Sequence, residues 1–461
     1  MILRLFAILI AVAIAGCGHA SSSLPPGPAS SSHVTPEILH VVPLIKFAGG
    51  SYGAPPSGAG AAASQFAGRA IPMQPTGGCI GLFGSIPGGL GGLIGDPRKA
   101  LFGVFSCGGV NNCGVVYELT PTSSGPYPYK ETVLHTFLND PDGCAPTSAL
   151  VMDQFGAIYG TTAEGGNGSG TVFKLRPSLS GYNYTVIYRF LGGSDGSTPE
   201  APVLVLPNGA LYGTTTTGGG TSCQPFGLAC GTLFELVRPL GPFSETYRER
   251  VVYRFQGGSD GAEPEAGLIS DSAGNLYGTT QLGGSGTYYG NGTAFKLTRA
   301  RNGYVETVIQ MFGDTGVVPT ALTLVGTDLF GALLSGELFK LAPSGSTYTM
   351  SAVHLFQLQT IYDGLSPDAP LTFRDGILYG TTLEGGIYQN IGGGQYISNG
   401  TVFSVDTSGA NFHVLYRFKN NDALGRVPSG GQLLDVDGVL YGTTIFGGGP
   451  ASDGAAYAIS P

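Results

Sequence analysis

Leu211-Tyr212-Gly213-Thr214-Thr215 is written again and again along this chain. Ile158-Tyr159-Gly160-Thr161-Thr162, Leu276-Tyr277-Gly278-Thr279-Thr280, Leu378-Tyr379-Gly380-Thr381-Thr382 and Leu440-Tyr441-Gly442-Thr443-Thr444 repeat it closely. Leu101-Phe102-Gly103 and Leu329-Phe330-Gly331 are degenerate copies, which makes seven units. A repeat recurring every ~50–65 residues indicates stacked or radially arranged supersecondary units.

Around Tyr212 the unit can be read outward. Residues 201–206 are a short apolar run, Pro207-Asn208-Gly209 a turn, and residues 210–215 a second run, which together read as a hairpin. The turn recurs as Asp375-Gly376 and Asp437-Gly438, and more loosely around Gly156 and Gly274. A Gly-rich loop, 218–230, leads to a third strand at 231–236, repeated at 170–175, 292–297, 336–341 and 400–405. A polar connection then reaches a fourth strand at 251–255, with relatives at 133–137, 186–190, 353–356 and 414–418. Each unit therefore holds four short strands, a to d.

After strand d, Gly143, Gly196, Gly261, Gly316, Gly364 and Gly425 each precede a proline by three residues, as does Gly53 near the N-terminus. Glycine supplies positive φ and proline fixes φ, so the pair sets one sharp return between units. Strand b is apolar or small on both faces, as a doubly packed sheet requires, and Gly213 reads as a point of close backbone approach near the centre. Lys46, Arg189, Arg254 and Arg417 sit on strand d, where charge guards an outer edge.

The two ends complement each other. Residues 42–47 read as a lone strand d, and the chain finishes after a strand c at 454–459. Pairing these two closes a ring, and radial repetition of four-stranded sheets is the β-propeller. The fold class expected is all-β: a seven-bladed β-propeller whose last blade is three C-terminal strands plus one N-terminal strand. A β-solenoid is the rival, but its ends require caps rather than each other.

The Leu-Tyr-Gly-Thr-Thr, Gly-Thr-Val-Phe-Lys-Leu and Leu-Tyr-Arg-Phe blocks together resemble the GloVer-type repeat of the choice-of-anchor tandem repeat proteins, over residues 42–459. The resemblance implies an exported bacterial protein held by an interchangeable anchor, and implies no catalytic residues. Residues 329–341 depart from the pattern, with Gly-Ala for Gly-Thr and almost no b–c loop, and residues 57–87 are an insertion without counterpart. Both departures leave the shape of the ring open there.

Residues 1–16 have the charged and apolar regions of a signal peptide, too short to span a bilayer. Ile14-Ala15-Gly16-Cys17 resembles a lipobox, which makes Cys17 the lipidated N-terminus, residues 17–41 a tether, and residues 42–461 the propeller. The expected location is therefore the cell envelope, with the membrane engaged only through the lipid. Charged residues are 11% and the net charge is −9 without a basic run, which argues against nucleic acid. The other six cysteines are an even set in an exported chain. Cys107 with Cys113, and Cys223 with Cys230, flank equivalent loops and read as local disulfides; Cys79 with Cys144 remains by elimination.

In this winding the d–a and b–c loops share one face, and the b–c loops vary most in length. Variable loops on a rigid scaffold commonly carry binding, so the candidate face holds Tyr288, Tyr289, Tyr388 and Tyr396 as stacking residues. It also holds Asp142, Asp195, Asp260 and Asp363 before the repeated glycine, and Glu164 and Glu384 after strand b. Carboxylates of this kind serve as calcium ligands or an acid/base pair, although an Asp-Gly repeated with the architecture more simply makes the turn. No cofactor is expected, calcium being the one weak alternative. His135 and His354 occupy the slot of Tyr188, Tyr253 and Tyr416 and read as packing residues; no nucleophile elbow, phosphate loop or His-Glu-x-x-His occurs. The expected function is a monomeric, non-catalytic binding or scaffolding protein for a glycan, cell-wall polymer or envelope protein. The alternative is a polysaccharide lyase or glycoside hydrolase using loop-face Asp, Tyr or Arg.

Overall fold

The computed structural model describes residues 40–46 and 92–461, apart from 107, 125–126, 221–229, 239–246, 285–290, 302, 314–317, 357–362, 387–388, 393–394, 398, 420–423, 425, 429–430 and 447–453. The stretch read as a signal peptide, Cys17, residues 18–39 of the expected tether, the 57–87 insertion, Tyr288, Tyr289 and Tyr388 lie outside the described residues, and residues 40–41 of that tether belong to a strand.

The motif repeats become seven antiparallel blades. In blade 3, strand a is Leu204–Val205, b is Leu211–Thr215, c is Thr232–Val237 and d is Arg248–Arg254, hydrogen-bonded in that order. Blades 1, 2, 4, 5 and 6 repeat this order over residues 94–136, 151–189, 269–311, 323–355 and 372–417. Blade 7 takes strands a to c from Leu434–Val436, Val439–Phe446 and Ala455–Ser460, and its strand d is the N-terminal His40–Lys46. The closing pair is antiparallel, with His40 opposite Ser460, Pro43 opposite Tyr457 and Ile45 opposite Ala456. Strand d of blade 7 lies against strand d of blade 1, and their a strands also meet, so the ring is closed. Blade 5, whose shape the sequence left open, is a regular four-stranded blade.

The core lies between blades. Leu211, Phe234 and Leu236 of blade 3 pack with Tyr159, Val172, Ile187 and Phe190 of blade 2. Tyr212, on the other face of the same strand, packs toward Leu276, Phe295 and Leu297 of blade 4. Alternation along one strand thus serves two interfaces, which is why strand b has no solvent face.

The motif glycine has a different cause from the one expected. A Cβ at Gly213 would stand 2.5 Å from Cζ of Phe234, the aromatic of strand c lying across it. The same relation holds for Gly160 with Phe173, Gly278 with Phe295, Gly331 with Phe339 and Gly380 with Phe403. A neighbouring ring, not a backbone near the axis, occupies the space. The last threonine is also explained: Thr215 Oγ1 lies 2.8 Å from Thr232 Oγ1, and the Thr232 N–H donates to it at 3.1 Å. Thr162–Thr171, Thr280–Thr293 and Thr382–Thr401 repeat this buried pair, locking the b–c register. The motif tyrosine reaches the next blade. Tyr277 donates to Asp271 at 3.0 Å and meets Tyr348 of blade 5 at 3.4 Å, and burial raises its pKa strongly.

The disulfide reading needs correction. Cys113 is bonded to Cys144, with Cα atoms 4.4 Å apart, rather than to Cys107, and Cys79 loses its assigned partner. The reason is the connection between blades: the Ala145 N–H donates to the Cys113 carbonyl at 3.0 Å, so the d–a segment runs directly beside the b–c loop. Cys230 is also disulfide-bonded, to a partner outside the described residues.

Candidate functional site

The loop face is built from the connections between blades. Three of them start with an aspartate whose carboxylate gathers donors from the end of strand d. Asp195 accepts the Tyr188 hydroxyl at 2.6 Å and the Leu191 N–H at 2.7 Å. Asp260 accepts Tyr253 and the Gln256 N–H, both at 2.6 Å. Asp142 accepts the Leu138 N–H at 3.1 Å and lies 2.9 Å from His135 Nε2, whereas Asp363 stands 3.6 Å from His354 Nε2. Asp142, Asp195 and Asp260 therefore make turns, whereas Asp363 has a buried Oδ1 without a hydrogen-bond partner; each of the four lies in its own seam between two blades, and the structure does not bring them together. Among the described residues no group of three or more His, Cys, Asp or Glu side chains is placed to hold a metal ion.

Beyond the aspartate the chain crosses inward over the next blade. Gly196, at φ 100°, passes so close that a Cβ would sit 2.6 Å from Thr215 Oγ1. The residue before the proline is left-handed in every described connection but one: Ala145, Thr198, Glu263, Ser366 and Val427 have φ of 54°, 59°, 55°, 53° and 57°. Such a conformation costs about 1–2 kcal/mol and is held from both sides. The Thr198 N–H donates to the Ser169 carbonyl of blade 2, and its own carbonyl accepts from Thr216 of blade 3. The connection thereby stitches two blades. Glu164 and Glu384 lie where this stitch pairs with the b–c loop, opposite Cys144 and Leu365. The strand-d arginines belong to the same structure: Arg189 Nε donates to the Pro141 carbonyl at 2.9 Å, and Arg254 to the Ser194 carbonyl at 3.2 Å. They clamp the preceding turn besides charging the edge.

After the proline comes a position that the sequence reading passed over: Thr147, Glu200, Glu265, Thr320, Asp368 and Ser429, all polar. In the described connections it stands just before strand a, Ser429 lying outside the described residues. Here carboxyls of different connections act on one another electrostatically. Burial, followed by Glu263 and Glu164, raises Glu200 from 4.5 to about 7 against the opposing Thr216 hydrogen bond. Burial, then Glu200 and Glu263, raises Glu265 to about 8, although the Gln281 side chain donates to it. Burial alone lifts Asp368 to about 8, and its Oδ1 has no hydrogen-bond partner. The residue type after each repeated proline was the available signal; its meaning depends on where the ring places it.

The two faces differ sharply. On the a–b side, Asp96, Asp153 and Asp271 close nearly identical turns, each accepting two backbone N–H groups at 2.9 Å. On the other side the b–c loops run from residues 334–336 in blade 5 to residues 383–400 in blade 6. The blade 6 loop carries its own hairpin, Gln389–Gly392 with Gln395–Ile397, and the candidate Tyr396 is in its second strand.

Solved structures similar to this chain include a putative 6-phosphogluconolactonase from Bacteroides uniformis, 13% identical, with a TM-score of 0.46, covering 70% of this chain and 82% of that one. Another is the periplasmic gluconolactonase PpgL of Pseudomonas aeruginosa, 15% identical, with a TM-score of 0.43, covering 71% and 84%. Likeness at that level carries no argument about activity. No curated protein matches the chain. The repeat described as Gloeobacter/Verrucomicrobia repeat matches residues 90–334, more than half of the sequence, and the chain belongs to that family.

Proposed function

We propose that this protein is an exported, lipid-anchored, non-catalytic scaffold that binds a glycan, cell-wall polymer or envelope protein on the face of its b–c and d–a loops. The observation that carries this reading is the contrast between the a–b turns, two to five residues long in every blade, and the b–c loops, which run from three residues to a loop with its own hairpin. Loops of varied length on a rigid scaffold commonly carry binding. The closing strand starts at His40 opposite Ser460, at the c–d end of the blade.

One observation favours the catalytic alternative. Glu200 and Glu265, held at about 7 and 8, are carboxyls that keep a proton near neutral pH, as a general acid must. A screen of the lipid-free protein against glycans and cell-wall polymers separates the two. Retention of a polymer without change in its length supports the scaffold. Release of shortened products, abolished by Glu200→Gln or Glu265→Gln, replaces it with a hydrolase or lyase. Retention unaffected by chelator sets calcium aside.

A further inference from the structure

Four of the outer seams between successive blades, 1–2, 2–3, 3–4 and 5–6, share one backbone geometry and two chemistries. In each of these a residue of strand d and the following aspartate face a side chain on, or immediately before, strand d of the next blade. Between blades 1 and 2 that side chain is Tyr184, stacked on His135 with centroids 3.5 Å apart; between blades 5 and 6 it is Phe412, stacked on His354 at 3.7 Å. Between blades 2 and 3 and between blades 3 and 4 the equivalent residues are Glu249 and Glu306. Register establishes the equivalence: Tyr184, Glu249 and Glu306 stand opposite Leu175, Leu236 and Leu297. An aromatic side chain suffices at this place in the fold, so nothing in the architecture requires a carboxyl there.

The carboxyls are awkwardly placed if both members of a couple are charged. Both oxygens of Asp195 are occupied by donors, Tyr188 Oη and the Leu191 N–H. Glu249 faces the same carboxyl, and its Oε1 is shielded from solvent without a partner. Arg254, on the same strand, is the opposing cation. Glu306 faces Asp260 and the Tyr253 hydroxyl, and its Oε1 is likewise buried and unpartnered. A buried carboxylate facing another is relieved by holding one proton between them. Burial first and the aspartate second raise both glutamates from 4.5 to about 7.

We propose that these two seams are proton latches, closed while each carboxyl couple, Asp195 with Glu249 and Asp260 with Glu306, holds a shared proton, and loosened when that proton leaves. The glutamate carboxyl is the acid and water the acceptor; nothing else is exchanged. The latched turns continue directly into Glu200 and into Glu263 and Glu265, the inner carboxyls of the loop face. Loosening the outer seam therefore frees the segments that hold the mouth, and only in blades 2 to 4.

Hydrogen–deuterium exchange on the full chain at pH 6 and pH 8, corrected for the intrinsic pH dependence of exchange, tests this. A carboxyl at about 7 when closed and 4.5 when open makes opening about three- to tenfold easier over that interval. Segments 186–196, 248–261 and 303–311 are expected to lose protection by that factor, and segment 347–356 to lose none. In Glu249→Gln with Glu306→Gln, the pH response of these segments should fall toward that of the control. Equal pH response in both sets of segments overturns the proposal, as does an undiminished response in the double variant. The wild-type comparison decides the matter alone if the variant fails to fold.

Discussion

The seams of blades 1–2 and 5–6 and those of blades 2–3 and 3–4 have the same turn and opposite proton chemistry. In the first pair a histidine faces the aspartate and an aromatic ring covers it, as His135 lies under Tyr184. In the second pair a tyrosine donates to the aspartate and a glutamate covers it, as Tyr188 and Glu249 do at Asp195. The backbone requires only a carboxylate to collect the N–H groups at the end of strand d. What closes over it is free to vary, and that freedom places titrating groups of opposite sense around one ring. His354, which is harder to charge when folded, favours alkaline conditions, whereas Glu249 and Glu306, which are harder to charge, favour acid.

The largest effect expected abolishes the comparison. A chain starting at Ser51 lacks His40–Lys46 and the whole d strand of blade 7. At about 1 kcal/mol per backbone hydrogen bond it should lose several kcal/mol, loosening every seam together, and the bare edge invites association. Melting and size-exclusion measurements check this; an unchanged melting temperature would refute ring closure. In the intact ring, Ile45→Cys with Ala456→Cys should crosslink, those positions being opposite each other.

Next in size is the Cys113–Cys144 bond, which spans only the histidine seam of blades 1 and 2. Cys144→Ser should cost about 3 kcal/mol, with exchange protection lost around residues 108–114 and 143–146 and retained in blade 4. Protection lost uniformly would mean the bond serves the ring as a whole.

Smaller effects separate the seam types directly. Asp142→Asn weakens the acceptor for His135 and the Leu138 N–H and should cost about 1.5–3 kcal/mol, the range for hydrogen bonds to charged groups. Asp195→Asn weakens equivalent bonds but also removes a charge facing Glu249, so its cost should be distinctly less. Denaturant melts of the two variants at pH 8 compare them, and equal losses would show that Glu249 carries no charge cost.

The smallest effect is the pH profile of the wild type. Glu249 and Glu306 have folded-state pKa values raised to about 7, so their stabilisation is complete below 4.5 and is lost as pH rises through 7. Glu200 and Glu265 act in the same direction. His354 is lowered from 6.5, burial outweighing Asp363, so its contribution is present above 6.5 and lost as pH falls below its folded value. Melting temperature should therefore decline from pH 6 to pH 8, with a second, weaker loss on the acid side belonging to blades 5 and 6. A profile rising between pH 6 and 8 would contradict the acid assignment.

The repeat, the strand order, the return made by glycine and proline, and the three-plus-one closure were all legible in the residues. Each depends on local chemistry that recurs in register: turn formers at fixed offsets, apolar alternation, and a missing strand at each end. The motif glycine was legible as a constraint but not as to cause, because the ring of Phe234 that fills its space comes from another strand. The left-handed residue before each proline was invisible, since Ala145, Thr198, Glu263, Ser366 and Val427 share a backbone conformation and no side-chain type. The loop face was found from loop lengths, yet three of the four aspartates chosen there proved to be turn acceptors. The carboxyls that act on one another, Glu200 on Glu265 and Asp195 on Glu249, lie far apart in sequence and in different blades. Periodicity determines which residues occupy equivalent places in their own units. Which of them face one another follows only from closing the ring, because that contact is made between units and no local pattern encodes it.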